Sequence, residues 1–228
     1  DLAYVHPLQL VALGLEGQKA SELVNPAAAL LLANEKAEAG LLGPLMPPSR
    51  IASRLADLEP FLRAEGKAVL KPLHEAQSHG IELLDWTRRD VARAAIERAT
   101  QGFTRPTLLQ RYLPGITQGE LRLWFLNGKL LASARKLPKQ GEFKIDMDQG
   151  GSVVAARPTA ADKRAALKIG ARLRARRIRM AAVDLIDGYV TDYNVTSPGL
   201  IVQMERALGK ELAPAIVRSL LKPWSPRK

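Results

Sequence analysis

The sequence predicts an α+β protein with mainly antiparallel strands, and three observations support this fold class. The chain has 228 residues, 46% of them apolar and 25% charged, which suits a globular protein with a sizeable core. Helical and extended patterns follow one another without the regular βα repeat of a parallel sheet. Two apolar runs flank Asn127-Gly128, a dipeptide that readily takes the positive φ angles of a tight antiparallel hairpin.

The first half of the chain mixes predicted helices with short predicted strands. Apolar residues at helical spacing, with Pro at a helix start or Gly beyond its end, define the helices. These helices are Pro7–Gly14, Pro26–Leu42, Ser53–Ala64 and Arg88–Thr100. Short apolar runs that stop at Pro or at polar residues define the strands. These strands are Glu22–Asn25, Ala68–Lys71 with Ile81–Trp86 as its hairpin partner, and Thr107–Leu113.

The second half is predicted to begin with the Asn-Gly hairpin, formed by Leu121–Leu126 and Lys129–Arg135. Pro138–Pro158 is long, polar and contains Gly, which predicts a mobile loop. The remaining elements are a helix, two strands and two closing helices. They are Thr159–Arg177, Ala181–Ile186, Val190–Val195, Gly199–Leu208 and Glu211–Leu221.

The formal charge of +11 is concentrated in one predicted helix and in the C-terminal tail. Eight Lys or Arg residues between 162 and 179 face a single acid, Asp162, and Lys222, Arg227 and Lys228 follow in the tail. One stripe of the helix consists of Arg164, Lys168, Arg172 and Arg176, and its apolar side of Leu167, Ile169, Gly170 and Leu173. Because acidic partners at i,i+4 are lacking, we expect the region Lys163–Arg179 and the tail to meet an acidic protein surface. A solvated helix face is the simpler alternative.

The sequence lacks the signatures of several function classes. It contains no Cys, which excludes disulfides, thiolate nucleophiles and Cys-bound zinc. It contains no GxxxxGK[ST], GxGxxG or GxSxG motif. His74 and His79 are one residue too far apart for the HExxH zinc motif, whose two His share a helix face. Aromatic residues are 5% of the chain, too few for a single-strand nucleic-acid binder, so a nucleic-acid partner is not expected.

The expected location is the cytoplasm. No apolar run approaches the ~20 residues that span a bilayer, and no signal peptide is visible. The chain starts at Asp1 without Met, which we interpret as a fragment or a processed end.

Asp184, Asp192 and Asn194 are the most informative polar residues. Asp192 and Asn194 lie two apart on one predicted strand and share a face. Asp184, on the preceding strand, joins them if the loop between has an odd number of residues, such as 187–189, whereas a two-residue Asp187-Gly188 turn places it on the opposite face. Given the odd loop, two carboxylates and an amide oxygen converge, and such hard ligands suit Mg²⁺ with substrate phosphates. Ordinary turn and edge positions are the alternative, although an unpaired carboxylate in an apolar strand is costly.

A phosphate-bearing substrate also requires cations. The candidates are Lys36, Lys71, Arg122 and Arg135. For each of them a solvated or snorkelling surface position is the alternative. Lys71, which stands between Leu70 and Pro72 at the end of a buried strand, fits that alternative least.

Taken together, these motifs resemble bacterial glutathione synthetase, an ATP-grasp ligase. The matching segments are Asn34–Lys36 (NEK), Val69–Pro72 (VLKP), Gln110–Gly115 (QRYLPG), Glu120-x-Arg122, Ala134-Arg135 and Val183–Gly199 (VDLI…TDYNVTSPG). The resemblance extends from about Ala3 to Leu221, and NVTSP after an acidic strand is its most specific part.

This resemblance implies an ATP-grasp fold, in which two α+β subdomains with mainly antiparallel sheets grip a nucleotide between them. It divides the chain into an N-terminal remnant with linker helices at 1–43, a small subdomain at 44–114, and a large subdomain with the metal site at 115–228.

The resemblance also implies an activity and the residues for it. ATP phosphorylates the carboxylate of γ-glutamylcysteine, glycine attacks the acyl phosphate, and the cofactors are ATP and Mg²⁺, with Mn²⁺ as the alternative metal. By position, Lys36 and Lys71 would hold the ATP phosphates, the backbone of Arg111 and Leu113 would contact adenine, and Glu120 would bind the ribose. Asp184, Asp192 and Asn194 would hold two Mg²⁺. Arg122, Arg135 and Lys144 would steady the acyl phosphate and the tripeptide product, and Thr196, Ser197 and Pro198 would line the substrate end.

The sequence departs from this family's pattern in three ways. The family carries an additional N-terminal α/β domain, which we expect a separate chain or a protein partner to supply; its removal by trimming is the alternative. The Gly-rich loop that covers the phosphates is replaced by His74–Gly80, and Asp192 stands where the family usually has Glu. The alternative function is therefore a non-catalytic descendant that serves as a nucleotide-binding or scaffold subunit of a larger assembly.

Overall fold

The strands in the described part of the chain form two antiparallel sheets. A computed structural model describes residues 5–18, 23–73, 75 and 78–222. The first sheet contains β1 (Ser49–Ala52), β2 (Lys67–Pro72), β3 (Glu82–Asp85) and β4 (Thr107–Arg111), in the order β1-β4-β2-β3. The second contains β5 (Glu120–Leu126), β6 (Lys129–Leu137), β7 (Ser152–Ala155), β8 (Met180–Ile186) and β9 (Tyr189–Asn194), in the order β7-β6-β5-β8-β9. The α+β class with antiparallel strands is confirmed.

The α-helices of the described residues pack on these sheets. They are α1 (Val5–Gln18), α2 (Ala27–Leu32), α3 (Leu55–Glu65), α4 (Arg89–Ala99), α5 (Ala160–Ala175), α6 (Ile201–Leu208) and α7 (Ala213–Leu220). Within the part of the chain that the structure describes, none of them has the length and apolar character needed to cross a membrane.

The first sheet is covered by α3 and α4. Leu58 and Leu62 of α3 and Ile96 of α4 are buried against Leu70 of β2 and Leu109 of β4. Gly66 ends α3 with φ +72, a conformation that glycine adopts without strain, and the chain turns directly into β2.

The second sheet is covered on both faces. One face, with Leu123, Phe125 and Val183, packs against Ile169 and Leu173 of α5 and against the N-terminal helices. The opposite face, with Trp124, Ala134 and Ala182, packs against Met204 and the closing helices α6 and α7. Because side chains alternate along a strand, neighbouring residues such as Leu123 and Trp124 serve different cores.

The predicted helix Pro26–Leu42 is wrong in extent, since α2 ends at Leu32. The Asn34 side chain accepts hydrogen bonds from the backbone N–H groups of Lys36 and Ala37 at 3.1 Å and donates to the Leu73 carbonyl. These bonds replace the helical ones and form a turn, which a 3₁₀ helix at Glu38–Leu45 follows.

The predicted strand Glu22–Asn25 is wrong for residues 23–25, which do not belong to a sheet. Glu22 lies outside the described residues. Asn25 instead uses its side chain. Its Nδ2 donates to the carbonyls of Met180 and Val195, and its Oδ1 accepts from Arg179 and Met180. This residue thereby joins the ends of β8 and β9.

The predicted loop Pro138–Pro158 contains the short edge strand β7, which pairs with β6 from Ala134↔Ala155 to Leu137↔Ser152. β7 has one half-buried residue among four, so it carries little of the apolar signal that marks a buried strand.

The hairpin β8–β9 brings Asp184 to the face of Asp192 without the odd-numbered loop expected from the sequence. Its turn is the two-residue Asp187-Gly188, since Ile186 pairs with Tyr189, and this turn alone would put Asp184 on the opposite face from Asp192. The register shifts next to Asp184: Leu185 pairs with Val190, whereas Asp184 pairs with Asp192. Thr191 is therefore an extra, bulged residue, which restores a common face for Asp184, Asp192 and Asn194.

The basic helix α5 is partly neutralised inside the fold. Glu38, which is buried, lies 3.2 Å from Arg172 Nε and 3.6 Å from Arg176 Nε. Two charges of the stripe thus have an acidic partner that is distant in sequence. Leu167 does not belong to the apolar side as predicted, because it is 75% exposed. The acidic partner surface for Lys163–Arg179 stays a prediction.

Candidate active site

A cavity of about 750 Å³, open to solvent, lies between the two sheets. Its apolar lining includes Leu113, Ile116 and Ile186, which pack on one another with Tyr112 and Ile145. Its charged lining consists of Lys36, Lys71, Arg111, Glu120, Lys136, Lys144 and Asp192. Such a cleft offers a flat apolar group one place to bind and an anionic group another.

A second cavity of about 1230 Å³ adjoins the first and shares Ser78, Lys136, Ile145 and Asp192 with it. It is the more polar of the two. Its further lining includes Glu35, Arg122, Asp146, Asp148, Asn194, Thr196 and Ser197. Lys136 and Asp192 therefore stand where a molecule in one cavity would meet a molecule in the other.

Asp184 is the centre of a buried ion-pair cluster. Its side chain is fully buried, and Arg122 donates to both of its oxygens, from Nε at 2.8 Å and from Nη2 at 2.7 Å. Lys136 Nζ lies 2.8 Å from the same carboxylate and 2.5 Å from Glu120 Oε2. The register explains the arrangement, because Arg122 pairs with Asp184 and Glu120 pairs with Lys136 across neighbouring strands.

Burial and charge oppose each other in this cluster. Burial alone would raise the pKa of Asp184, but Arg122 and Lys136 outweigh it and hold that pKa well below its usual range. Burial would lower the pKa of Lys136, but Asp184 and Glu120 outweigh burial and raise it. Both groups are therefore charged at neutral pH, and the cluster is two cations bound to two carboxylates.

Lys71 connects the two sheets. Its Nζ donates to Gln110 Oε1 at 2.8 Å in the first sheet and to the Thr191 carbonyl at 2.9 Å in the second. The bulge in β9 turns that carbonyl out of the strand pairing and toward the lysine. Burial is the largest effect on Lys71 and lowers its pKa, because the surrounding carboxylates do not compensate fully.

The turn Asn34–Lys36 is fixed to the second sheet by Glu35. Its Oε1 accepts hydrogen bonds from the backbone N–H groups of Val195 and Thr196 at 2.9 and 2.8 Å. Burial, and then the charge of Asp192, raise the pKa of Glu35. The same turn directs Lys36 into the cleft, where its Nζ donates to the Glu75 carbonyl.

The predicted contacts for the base and the sugar lie at the first cavity. Arg111 pairs its guanidinium with Glu65 at 2.6 Å on the surface, and its backbone N–H donates to the Pro48 carbonyl, so its side chain is directed away from the cleft beside Leu113. Glu120 lines the cavity but is bound by Lys136. Lys144 lines it beside Phe143, with Nζ 5.8 Å from the ring centre.

Arg135 and Pro198 lie outside both the Asp184 cluster and the lining of the two cavities. Arg135 follows Ala134 on β6 and therefore points to the other face of the sheet from Arg122 and Lys136; it donates to the carbonyls of Gln118 and Gly119. Pro198 is half-buried but outside the lining of both cavities, whereas Thr196 and Ser197 line the second. Roles for Arg135 and Pro198 stay predictions.

The oxygen ligands predicted for a metal divide into two groups. Asp192 has no hydrogen-bonded partner among the described residues, and Asn194 uses its Nδ2 to donate to the Ala182 carbonyl, which leaves its oxygen available. These two side chains fit one hard cation that completes its shell with phosphate and water. Asp184 does not fit that role in this arrangement, because two cationic side chains occupy both of its oxygens. Within the described residues no group of three His, Asp or Glu side chains could hold a metal ion.

Gly80 is the one glycine of the loop that follows β2. Gly80 has φ +66, and an added Cβ would lie 2.8 Å from Pro72. Glycine is therefore required where the chain turns back past Pro72. Ser78 reaches both cavities and donates weakly to the Ile145 carbonyl. His74, Ala76 and Gln77 lie outside the described residues.

Lys136, Gln110, Thr191 and Glu35 belong to the site and are absent from the predicted residues. A signal for Lys136 exists: it directly follows Arg135 on a predicted strand, and one of two adjacent residues must face each side of the sheet. Glu35 stands inside the quoted NEK segment. Thr191 depends on the bulge, which no local pattern indicates.

Two antiparallel sheets with a lysine-lined cleft between them define the ATP-grasp class of domains, and the comparisons agree. The crystal structure of D-cycloserine synthetase DcsG superimposes with a TM-score of 0.67 at 20% identity, over 89% of this chain and 75% of that one. The sequence profile described as "Prokaryotic glutathione synthetase, ATP-grasp domain" matches residues 35–209.

Curated relatives narrow the class to a family. A glutathione synthetase of Synechococcus elongatus is 32% identical over 218 residues, which cover 96% of this chain and 67% of the relative. One of Thermosynechococcus vestitus is 32% identical over 195 residues, covering 86% of this chain and 61% of the relative. The chain thus spans about two thirds of the length of these relatives. It belongs to the prokaryotic glutathione synthetase ATP-grasp family.

Proposed function

We propose that this chain is the ATP-grasp part of an ATP- and Mg²⁺-dependent carboxylate–amine ligase of the glutathione synthetase type. The donor would be γ-glutamylcysteine and the acceptor glycine. The observation that carries the proposal is the pair of adjoining cavities, one apolar with lysines and one polar, which meet at Lys136 and Asp192.

The residues of the cleft support a division of labour. Tyr112, Leu113 and Ile186 would enclose the adenine, while Lys36, Lys71 and Lys144 would neutralise the phosphates. Asp192 and Asn194 would bind the cation, which when bound would draw charge from the transferring phosphoryl group. Most of the rate enhancement would come from positioning and from this neutralisation of charge.

The second cavity would hold the substrates. Arg122, held by Asp184 and near the Gly199 carbonyl, presents the remaining edge of its guanidinium to the cavity. It would bind the acyl phosphate oxygens. Glu35 orders the backbone of Val195 and Thr196, and this fixes the loop that carries Ser197 beside the substrate.

Release of ADP with ATP, Mg²⁺, γ-glutamylcysteine and glycine tests the proposal. We expect ADP release that needs both substrates, and a loss of at least 100-fold in kcat for Asp192→Asn, because that carboxylate is a cation ligand with no structural partner among the described residues. Asp90→Asn, on the surface of α4, serves as the control and should behave as the wild type.

A second candidate is a nucleotide-binding subunit without turnover. It is favoured because Arg122 and Lys136 occupy both oxygens of Asp184, which is one of the predicted metal ligands. Thermal stabilisation by Mg²⁺-ATP in the absence of substrate-dependent ADP release would support that candidate and contradict the ligase. Absence of both effects would contradict nucleotide binding altogether.

A further inference from the structure

Lys136 is a buried ammonium that the predicted chemistry leaves unused. Its side chain is 10% exposed and lies between two carboxylates, Glu120 at 2.5 Å and Asp184 at 2.8 Å. The two carboxylates come from the neighbouring strands β5 and β8 and lie on the same face of the sheet. The ammonium group therefore pairs with both of them. Lys136 also lines both cavities, at their junction.

The position of Lys136 is one that a divalent cation would otherwise suit. Without Lys136, Arg122 would be the one cation bound to Asp184, and Asp192 lies opposite Asp184 on the next strand, with Lys71 near all three carboxylates. Three carboxylates, Glu120, Asp184 and Asp192, near only two cations, Arg122 and Lys71, would carry excess negative charge, which attracts small hard cations. With Lys136 in place, Glu120 and Asp184 are balanced by two side-chain cations.

The geometry also blocks a metal ion at Asp184. One carboxylate oxygen accepts from Arg122, and the other accepts from Arg122 and Lys136 at 2.7 and 2.8 Å. A divalent cation at either oxygen would displace one of these donors and approach two positive charges. Of the three predicted ligands, Asp192 and Asn194 are the two whose side-chain oxygens have no hydrogen-bonded partner among the described residues.

We propose that Lys136 is a built-in cation that takes the place of one divalent metal ion beside Asp184. The nucleotide complex therefore contains one divalent cation, held by Asp192 and Asn194, and the Lys136 ammonium faces the phosphates from the position of a second. The assignment rests on the proposed nucleotide site, and its test separates the two.

Equilibrium dialysis with Mn²⁺ and the non-hydrolysable analogue AMPPNP measures both ligands per chain. We expect the wild type to bind one Mn²⁺ in addition to one nucleotide, and Lys136→Met to bind two. Lys136→Arg keeps the charge and should bind one. Lys129→Met removes an exposed lysine from the start of the same strand and should match the wild type.

Separate measurements check that each variant folds and binds nucleotide. Circular dichroism and thermal unfolding accompany each variant, and Lys136→Gln, which keeps a donor without the charge, replaces Lys136→Met if the latter does not fold. The wild-type count stands on its own: two Mn²⁺ ions per bound nucleotide would overturn the proposal. The same count for the wild type and for the charge-removing variant would also overturn it.

A nucleotide-free titration separates this proposal from the proposed function. If no variant binds AMPPNP, the proposed function fails. The Mn²⁺ affinity without nucleotide then tests by itself whether Lys136 takes the place of a metal ion. A gain of at least tenfold in Mn²⁺ affinity on removal of the Lys136 charge, absent in Lys129→Met, would support the built-in cation. Equal affinities would overturn it.

Discussion

At the scale of the residue, Asp184 shows how a carboxylate is kept charged inside the protein. Arg122 and Lys136 lower its pKa below the ordinary value of 3.8, so its ion pairs stabilise the fold above about pH 4 and are lost as the pH falls below it. For Asp184→Asn we expect a loss on the order of 3 kcal/mol at pH 7, because both cations remain buried without this partner. The difference from the wild type should be constant down to about pH 4 and shrink progressively as the pH falls further.

Urea unfolding at several pH values measures this effect. Asp57→Asn is the control, since the Arg54–Asp57 pair is exposed and should change stability little at any pH. Parallel pH curves for Asp184→Asn and the wild type would contradict the assignment of the acid-sensitive charge to Asp184.

At the scale of the element, the contact between α5 and the β5–β6 hairpin requires glycine. A Cβ on Gly170 of α5 would lie 2.2 Å from the Gly128 carbonyl oxygen, which also accepts a hydrogen bond from Arg174. Gly170→Ala should therefore destabilise the protein by about 1–3 kcal/mol through overpacking, although alanine favours a helix by about 1 kcal/mol.

Gly14→Ala, in α1, is the matched control for this prediction. An added Cβ there meets no atom within 4 Å, so alanine should leave the denaturant midpoint unchanged or raise it. Equal effects of the two substitutions would show that the backbone contact carries no cost.

At the scale of the whole molecule, Lys71 joins the two sheets across the cleft through Gln110 and Thr191. Lys71→Met keeps most of the packing but leaves the buried Gln110 Oε1 and the Thr191 carbonyl without their donor, so we expect a moderately lower melting temperature than that of the wild type. The shift that Mg²⁺-ATP adds to that temperature should fall strongly, because the phosphates lose a cation.

Lys67→Met gives the comparison on the same strand, where the lysine is exposed and 3.6 Å from Asp85. It should keep the full nucleotide-dependent shift. A full shift in Lys71→Met as well would remove Lys71 from the phosphate site.

The sequence determined much of the fold without tertiary information. The Asn127-Gly128 turn, the helices Leu55–Glu65 and Arg89–Ala99, and the pairing of β2 with β3 follow from apolar periodicity and from turn chemistry, which are local properties. Lys71, Asp184, Asp192 and Asn194 could also be selected from the chain as candidate site residues, because these polar residues stand on predicted strands.

The tertiary structure alone decided which charges meet. The bulge at Thr191 placed Asp184 opposite Asp192, and strand pairing brought Arg122 and Lys136 to the same carboxylate. The formal charge of +11 also overstates the charge of the basic helix surface, because the buried Glu38 pairs with Arg172. Such contacts join residues far apart in sequence, and the free energy of burying a charge depends on those partners and not on the local pattern.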